Sequence, residues 1–228
     1  RFGGGWADAE LRDIGRLVGG EGFQRDASLA HTHPPVAHTF DRWGFRLDEV
    51  EYDSSYHRVI GAAVAHGAHT AAWADPRPGA AVARAATFML FAQVEPGHAC
   101  PISMTHAGVA SLQESPWVAE DWMPRLYSRS YDPRLLPASE KPSALIGMAM
   151  TEKQGGSDVR ANRTTGVHIS GHSYQLSGHK RFCSAPMSDA FLVLTQTRRD
   201  GRDEGLSCLF VPRVLPQGDR TVFRIQRL

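Results

Sequence analysis

Apolar residues recur every three to four positions through the first 145 residues of this chain, then give way to alternation and short continuous apolar runs. The first texture predicts helices and the second strands, because side chains share a helix face at 3.6-residue spacing and a strand face at every second residue. Leu11, Ile14 and Val18 mark an amphipathic helix over 8–18, stopped by Gly19-Gly20. Residues 21–47 read as loop, with Pro34-Pro35 as the clearest break. Asp48 with Glu51 three residues on has the form of a helix start, an oxygen cap with a returning glutamate. The helix it predicts runs over 48–73 and buries Val59, Ile60, Ala63 and Val64, until Pro76 and Pro78 end it. A third helix is expected over 79–94 with Val82, Ala85, Ala86 and Met89 as its buried stripe, and a fourth over 102–112. Pro116, suited to a first helical turn, opens a fifth over 117–127, and 131–143 is a proline-rich connection.

From Ala144 the period changes. Residues 167–170 and 174–177, joined through Gly171-His172-Ser173, read as a hairpin, and 190–197 and 206–211 as further strands. Gly178, Asp200-Gly201 and Gln217-Gly218 are turn signals. The expected fold is therefore α+β: an all-α helical domain over 1–143, then an antiparallel β-barrel or sandwich-like domain over 144–228.

Composition narrows the function classes. The 228 residues are 42% hydrophobic and 21% charged with a net charge of +1, the balance of a soluble globular protein without a whole-chain field for nucleic acid or membrane. No apolar run approaches the roughly 20 residues of a membrane helix, and the N-terminus has no signal-peptide pattern. Cys100, Cys183 and Cys208 form no C-x-x-C pair and read as buried, reduced thiols of a cytoplasmic protein. The chain starts at Arg1 rather than methionine and ends in what reads as mid-strand, so a longer parent protein is expected. His31, His33 and His38 lack supporting carboxylates or thiols for a metal, and His66 with His69 reads as core or surface. Arg198, Arg199 and Arg202 read as a solvated turn, Trp117 and Trp122 as packing residues.

The chemistry concentrates at 148–162, MAMTEKQGGSDVRAN. A short apolar strand ends in Thr151 and Glu152, then Gly155, Gly156, Ser157 and Asp158 follow. Paired glycines let a backbone approach a ligand, and successive amides there can face an anion, while the hydroxyls both donate and accept. Such a turn suits a cofactor with a polar heterocycle and a phosphate. It is neither a G-x-x-x-x-G-K-[ST] phosphate loop nor a G-x-G-x-x-G dinucleotide fingerprint. On the residues alone, a plain polar turn between strands is the simpler account, and Glu152 and Asp158 read as ties of that turn.

Ala149 to Ala161 resembles the first signature of the acyl-CoA dehydrogenase superfamily, and Gly178-His179-Lys180-Arg181-Phe182-Cys183-Ser184 resembles its flavin-facing strand. GLSCLFVPR, YDPRLLP and ARAATFMLFAQVEPGHACPISMTHA are similar to the AidB-like, adaptive-response branch, so the likeness covers nearly the whole chain. The resemblance implies FAD as cofactor, bordered by Met148, Met150 and Thr151, with Thr151 on the pyrimidine edge of the ring. It puts Gly156 and Ser157 at the pyrophosphate, Phe182 against the ring, Cys183 beside it and Ser184 toward N5, with Ser157 also a weak contact for an acyl-CoA-like substrate. The implied activity is α,β-dehydrogenation of an acyl-CoA thioester; the alternative is a flavin-bearing, DNA-associated protein of the alkylation response with little dehydrogenase activity. No catalytic base is expected in this chain. In the family the base, the homo-oligomer contacts and, in this branch, the DNA surface belong to a further C-terminal helical domain. The chain by itself is expected to bind FAD poorly.

Overall fold

The computed structural model of the protein describes residues 3–228. The helical half comprises α1 (Asp8–Gly19), α2 (Glu21–Thr32), α3 (Ser54–Ala65), α4 (Ala71–Ala74), α5 (Ala80–Ala92), α6 (Ala99–Gln113) and α7 (Pro116–Leu126). Between α2 and α3 lies an antiparallel hairpin of β1 (Val36–Phe40) and β2 (Arg46–Glu51). The remaining strands are β3 (Ile146–Ala149), β4 (Thr165–Ser170), β5 (Ser173–Ser177), β6 (Ala190–Arg199) and β7 (Arg202–Pro212).

Several sequence expectations are corrected. Residues 21–47 are not loop: α2 buries only Phe23 and Ala27, a stripe too thin to register as periodic. The hairpin that follows turns on Asp41, whose carboxylate accepts from the amides of Trp43 and Phe45, both at 2.8 Å. The first half is thus not all-α. Asp48 opens no helix; it sits in β2 with φ 52°, and its carboxylate accepts from Arg46 Nε at 2.6 Å and Ile225 N at 2.8 Å. Asp53 is the cap instead, accepting from Ser55 N at 2.8 Å, and the helix ends at Ala65 because Gly67 turns the chain with φ 69°. Helix α5 is where expected but faces the other way. Ala80, Ala83, Thr87 and Phe91 are buried, while Val82 and Met89 are 46% and 67% exposed. None of the three cysteines is fully buried; Cys100 and Cys208 are exposed and Cys183 is half-buried, all free. Trp122 packs in the core, edge-on to Phe210, whereas Trp117 is exposed and stacks on His172 at 4.0 Å.

The sheet is mixed and open, not an antiparallel barrel. β6 is its spine: β7 runs antiparallel along its length, while β3 and β4 pair parallel with its first and second halves, and β5 completes the order. Strand alternation then sorts β3. Ile146 and Met148 face α6 and α7 with Val109, Leu112 and Leu126, and Ala149 faces Phe191 and Val193 on the other side. Gly147 leaves the space that the Phe191 ring fills, and Gly108 lets α6 lie on β3, since a Cβ there would come 2.9 Å from Ile146 Cδ1. Both faces of β3 are covered, so its end, at Met150-Thr151, is held at a fixed place. Among the described residues no helix is long and apolar enough to cross a membrane.

Candidate functional site

The chain leaves β3 at Met150, whose carbonyl accepts from Asn162 Nδ2 at 2.9 Å, and enters the turn of the glycine-rich motif. The turn closes between Glu152 and Gly155, with the Gly155 amide donating to the Glu152 carbonyl at 3.1 Å. Gly155 has φ 136°, a conformation open to glycine alone in practice. Gly156 packs on Thr151; a Cβ at 156 would lie 2.8 Å from Thr151 Oγ1, a short, stiff side chain with little room to yield.

The second motif lies against this turn. Arg181 N donates to the Thr151 carbonyl at 2.9 Å, and Lys180 Nζ donates to Glu152 Oε1 at 2.8 Å. The Glu152 carboxylate also accepts from Arg163 N at 2.6 Å, Thr164 N at 2.9 Å and Thr164 Oγ1 at 2.6 Å. One buried carboxylate therefore ties three segments: the turn, the entry to β4 and the stretch after β5. Burial by itself would raise its pKa, but the Lys180 ammonium, the Thr164 hydroxyl and the two backbone amides outweigh it and hold the value at about 2. A group so fixed in its charged form moves no proton near neutral pH; it is a clamp. Gly178 is needed beside it, since a Cβ there would run into the Thr164 side chain.

What the clamp presents is unpaired. The Thr164 hydroxyl is spent on Glu152, whereas among the described residues the hydroxyls of Thr151, Ser157 and Ser184 have no partner. The amides of Gly156 and Ser157, both exposed, also donate to nothing among the described residues. Phe182 is 82% exposed and holds φ 53°, the left-handed region, where a bulky side chain costs about 1 kcal/mol or more. It is the left-handed backbone, rather than the exposure, that is uncommon for a bulky residue. Ser184 N closes the bend by donating to Phe182 O at 2.8 Å. Cys183 lies at the margin of the Phe191 cluster, and burial raises its thiol pKa. Of the expected site residues, Thr151, Gly156, Ser157, Phe182, Cys183 and Ser184 belong to the two clamped segments. Met148 instead points toward α6 and α7, at the edge of the core. The sequence reading treated Glu152 and Lys180 separately; their pairing was not legible, because 28 positions separate them.

Comparison with known proteins gives matches over both halves. Residues 1–133 match the Adaptive response protein AidB N-terminal domain, and residues 147–227 match the acyl-CoA dehydrogenase middle domain. The chain is 46% identical over 230 aligned positions to the AidB protein of Escherichia coli (strain K12), covering 100% of this chain and 42% of that one. Among solved structures, Bd2924 in its apo-form superposes with a TM-score of 0.82 at 26% identity over 97% of this chain and 45% of that one. ACDH-11 of Caenorhabditis elegans, solved in complex with C11-CoA, gives 0.75 at 26% identity over 87% of this chain and 34% of that one. The chain thus spans less than half the length of these relatives.

Proposed function

Since the chain belongs to the acyl-CoA dehydrogenase family, in its AidB-type branch, we propose that its clamped turn and bend are this chain's share of an FAD site in an acyl-CoA-oxidising flavoprotein. One observation carries the reading: the two motif segments, separated in sequence, are tied side by side through Thr151–Arg181 and Glu152–Lys180, with the hydroxyls of Thr151, Ser157 and Ser184 and the amides of Gly156 and Ser157 unpaired among the described residues and the Phe182 ring exposed. The donor set fits the group. Thr151 offers a hydroxyl to the polar edge of a flat heterocycle, Gly156 and Ser157 offer amides to a pyrophosphate, and Phe182 offers a face for the ring to cover. When bound, FAD supplies a hydride acceptor for oxidation of the substrate. The residues here bind and orient: the clamp fixes Thr151 before the cofactor arrives, so little ordering is needed on binding. Ser184, on the same bend, would offer its hydroxyl to the ring's central nitrogen edge, and Ser157 would be the residue nearest in role to a substrate contact. We assign no general base to this chain, and these 228 residues alone are expected to hold FAD weakly.

The test is the cofactor content of the full-length protein purified natively. FAD recovered near one per chain, and strongly depleted in the Thr151→Ala, Phe182→Ala double variant, is the expected result. A full-length protein that carries no flavin and takes up none on addition of FAD overturns the proposal.

A further inference from the structure

The bend that carries Phe182 and Ser184 is left-handed at two places. Phe182 has φ 53° and Ala185 has φ 56°, a region that side chains other than glycine's seldom adopt. Such a stretch keeps its shape only where its surroundings over-determine it. Its own backbone supplies two short-range bonds, Ser184 N to Phe182 O at 2.8 Å and Ser188 N to Ala185 O at 2.9 Å. Its ends are anchored by Arg181 N on Thr151 O and Asp189 N on Leu145 O, both at 2.9 Å. Between those anchors, among the described residues, one side chain bonds to the bend: Arg213 Nη1 donates to Pro186 O at 2.5 Å.

Arg213 directly follows β7 and is only 4% exposed. Its backbone amide donates to Asp189 O at 2.8 Å, which fixes the side chain's root to the far end of the same bend. Its second terminal nitrogen, Nη2, donates at 3.0 Å to the carbonyl of Asp48, the left-handed residue of the β1–β2 hairpin. The guanidinium lies 4.5 Å over the Phe223 ring, which stacks at 4.7 Å on Phe191, in the cluster that Cys183 borders. Both terminal nitrogens thus serve carbonyl oxygens, and among the described residues Arg213 pairs with no carboxylate. Burial lowers its pKa to about 10, so it stays charged at neutral pH. A buried charge without a counter-ion is costly, and an apolar side chain would fill the space at less cost. The difference that arginine makes is a rigid fork able to bridge two carbonyls. We propose that Arg213 is a positioning residue of the flavin site. It joins the bend to the hairpin through Pro186 O and Asp48 O, and so sets where the Phe182 ring and the Ser184 hydroxyl meet the cofactor. This rests on the flavin reading and adds to it a residue outside both motifs.

The test uses the full-length protein and two readouts, neither of them turnover. The first is the rate at which iodoacetamide modifies Cys183 once flavin is removed, followed on the Cys183 peptide by mass spectrometry. Arg213→Met keeps the stem and loses both donors; it is expected to speed the reaction about tenfold or more, the worth of one hydrogen bond from a charged group. Arg213→Lys, whose single ammonium serves one carbonyl, is expected to fall between. Val59→Ala truncates a buried residue of α3 and is expected to leave the rate unchanged, which separates a held bend from a general loss of stability. The second readout is the bound flavin. FAD is expected to bind Arg213→Met about tenfold more weakly, and with a shifted visible absorption band, because the contacts to its ring change. An unchanged Cys183 rate in folded Arg213→Met, equal acceleration by Val59→Ala, or parental FAD affinity with a parental band overturns the proposal and leaves the flavin reading standing. Should Arg213→Met not fold, Arg213→Lys decides by the same outcomes. A parent protein that takes up no flavin is the separate failure of the flavin reading, and this proposal falls with it.

Discussion

Two lysine–carboxylate pairs are buried at opposite ends of β3, and they behave oppositely. Lys141 pairs with Asp189 before the strand, and Lys180 with Glu152 after it; in each the side chains are less than a tenth exposed. Asp189 is raised to about 6, because burial outweighs the Lys141 ammonium and the single amide, Leu145 N, that it accepts from. Glu152 is held at about 2, because two backbone amides and a hydroxyl join its lysine. The difference follows two things together: Asp189 lies deeper, and more donors are aimed at Glu152. It also separates two uses. The first pair seals the seam between helices and sheet, while the second clamps the proposed cofactor turn.

The sharpest way to break this comparison is to replace each pair with apolar residues. Glu152→Leu with Lys180→Met strands Arg163 N, Thr164 N and the Thr164 hydroxyl, and a loss of about 3 kcal/mol or more is expected at ~1–3 kcal/mol per orphaned group. Lys141→Met with Asp189→Leu strands one amide, so urea melts are expected to stay within about 1 kcal/mol of the parent, as for apolar replacements of other buried pairs. Equal losses in the two variants would show that donor count does not set the difference.

The pH dependence sharpens it further. Glu152 is depressed from 4.5 to about 2, so its contribution is whole above pH 4.5 and is lost as pH falls toward 2. Asp189 is raised from 3.8 to about 6, so its contribution is whole below 3.8 and is lost as pH rises through 6. Stability measured against pH is expected to rise more shallowly from 2 to 4.5 in Glu152→Gln, and to fall less from 4 to 6 in Asp189→Asn. The same slope change in both variants would sink the assignment. The smallest effect belongs to the bend that the clamp holds. Phe182→Gly relieves a left-handed backbone and is expected to gain up to about 1 kcal/mol in melting experiments, while FAD content falls. A loss of stability would mean that the exposed ring packs on something within the chain.

How much of this was legible follows the range of the interactions. Val59, Ile60, Ala63 and Val64 announced α3, and Pro116 the start of α7, because both signals lie within a few residues. Asp48 misled because its oxygens serve Arg46 and Ile225, one of them 177 positions away. On α5 the residues are apolar nearly all round, so the sequence named the helix and could not choose its buried face. The barrel expectation failed similarly: alternation names strands, but whether β3 and β4 pair parallel with β6 depends on where the crossovers travel.

The sequence by itself determined that this chain has helices followed by strands, that two motifs carry the chemistry, and to which family those motifs point, since propensity, period and motif wording are local. Only the tertiary structure decided that Glu152 and Lys180 meet and that Phe182 stands in solvent. Those outcomes hang on which distant groups compete for each donor and acceptor once water is excluded, and no local pattern records that competition.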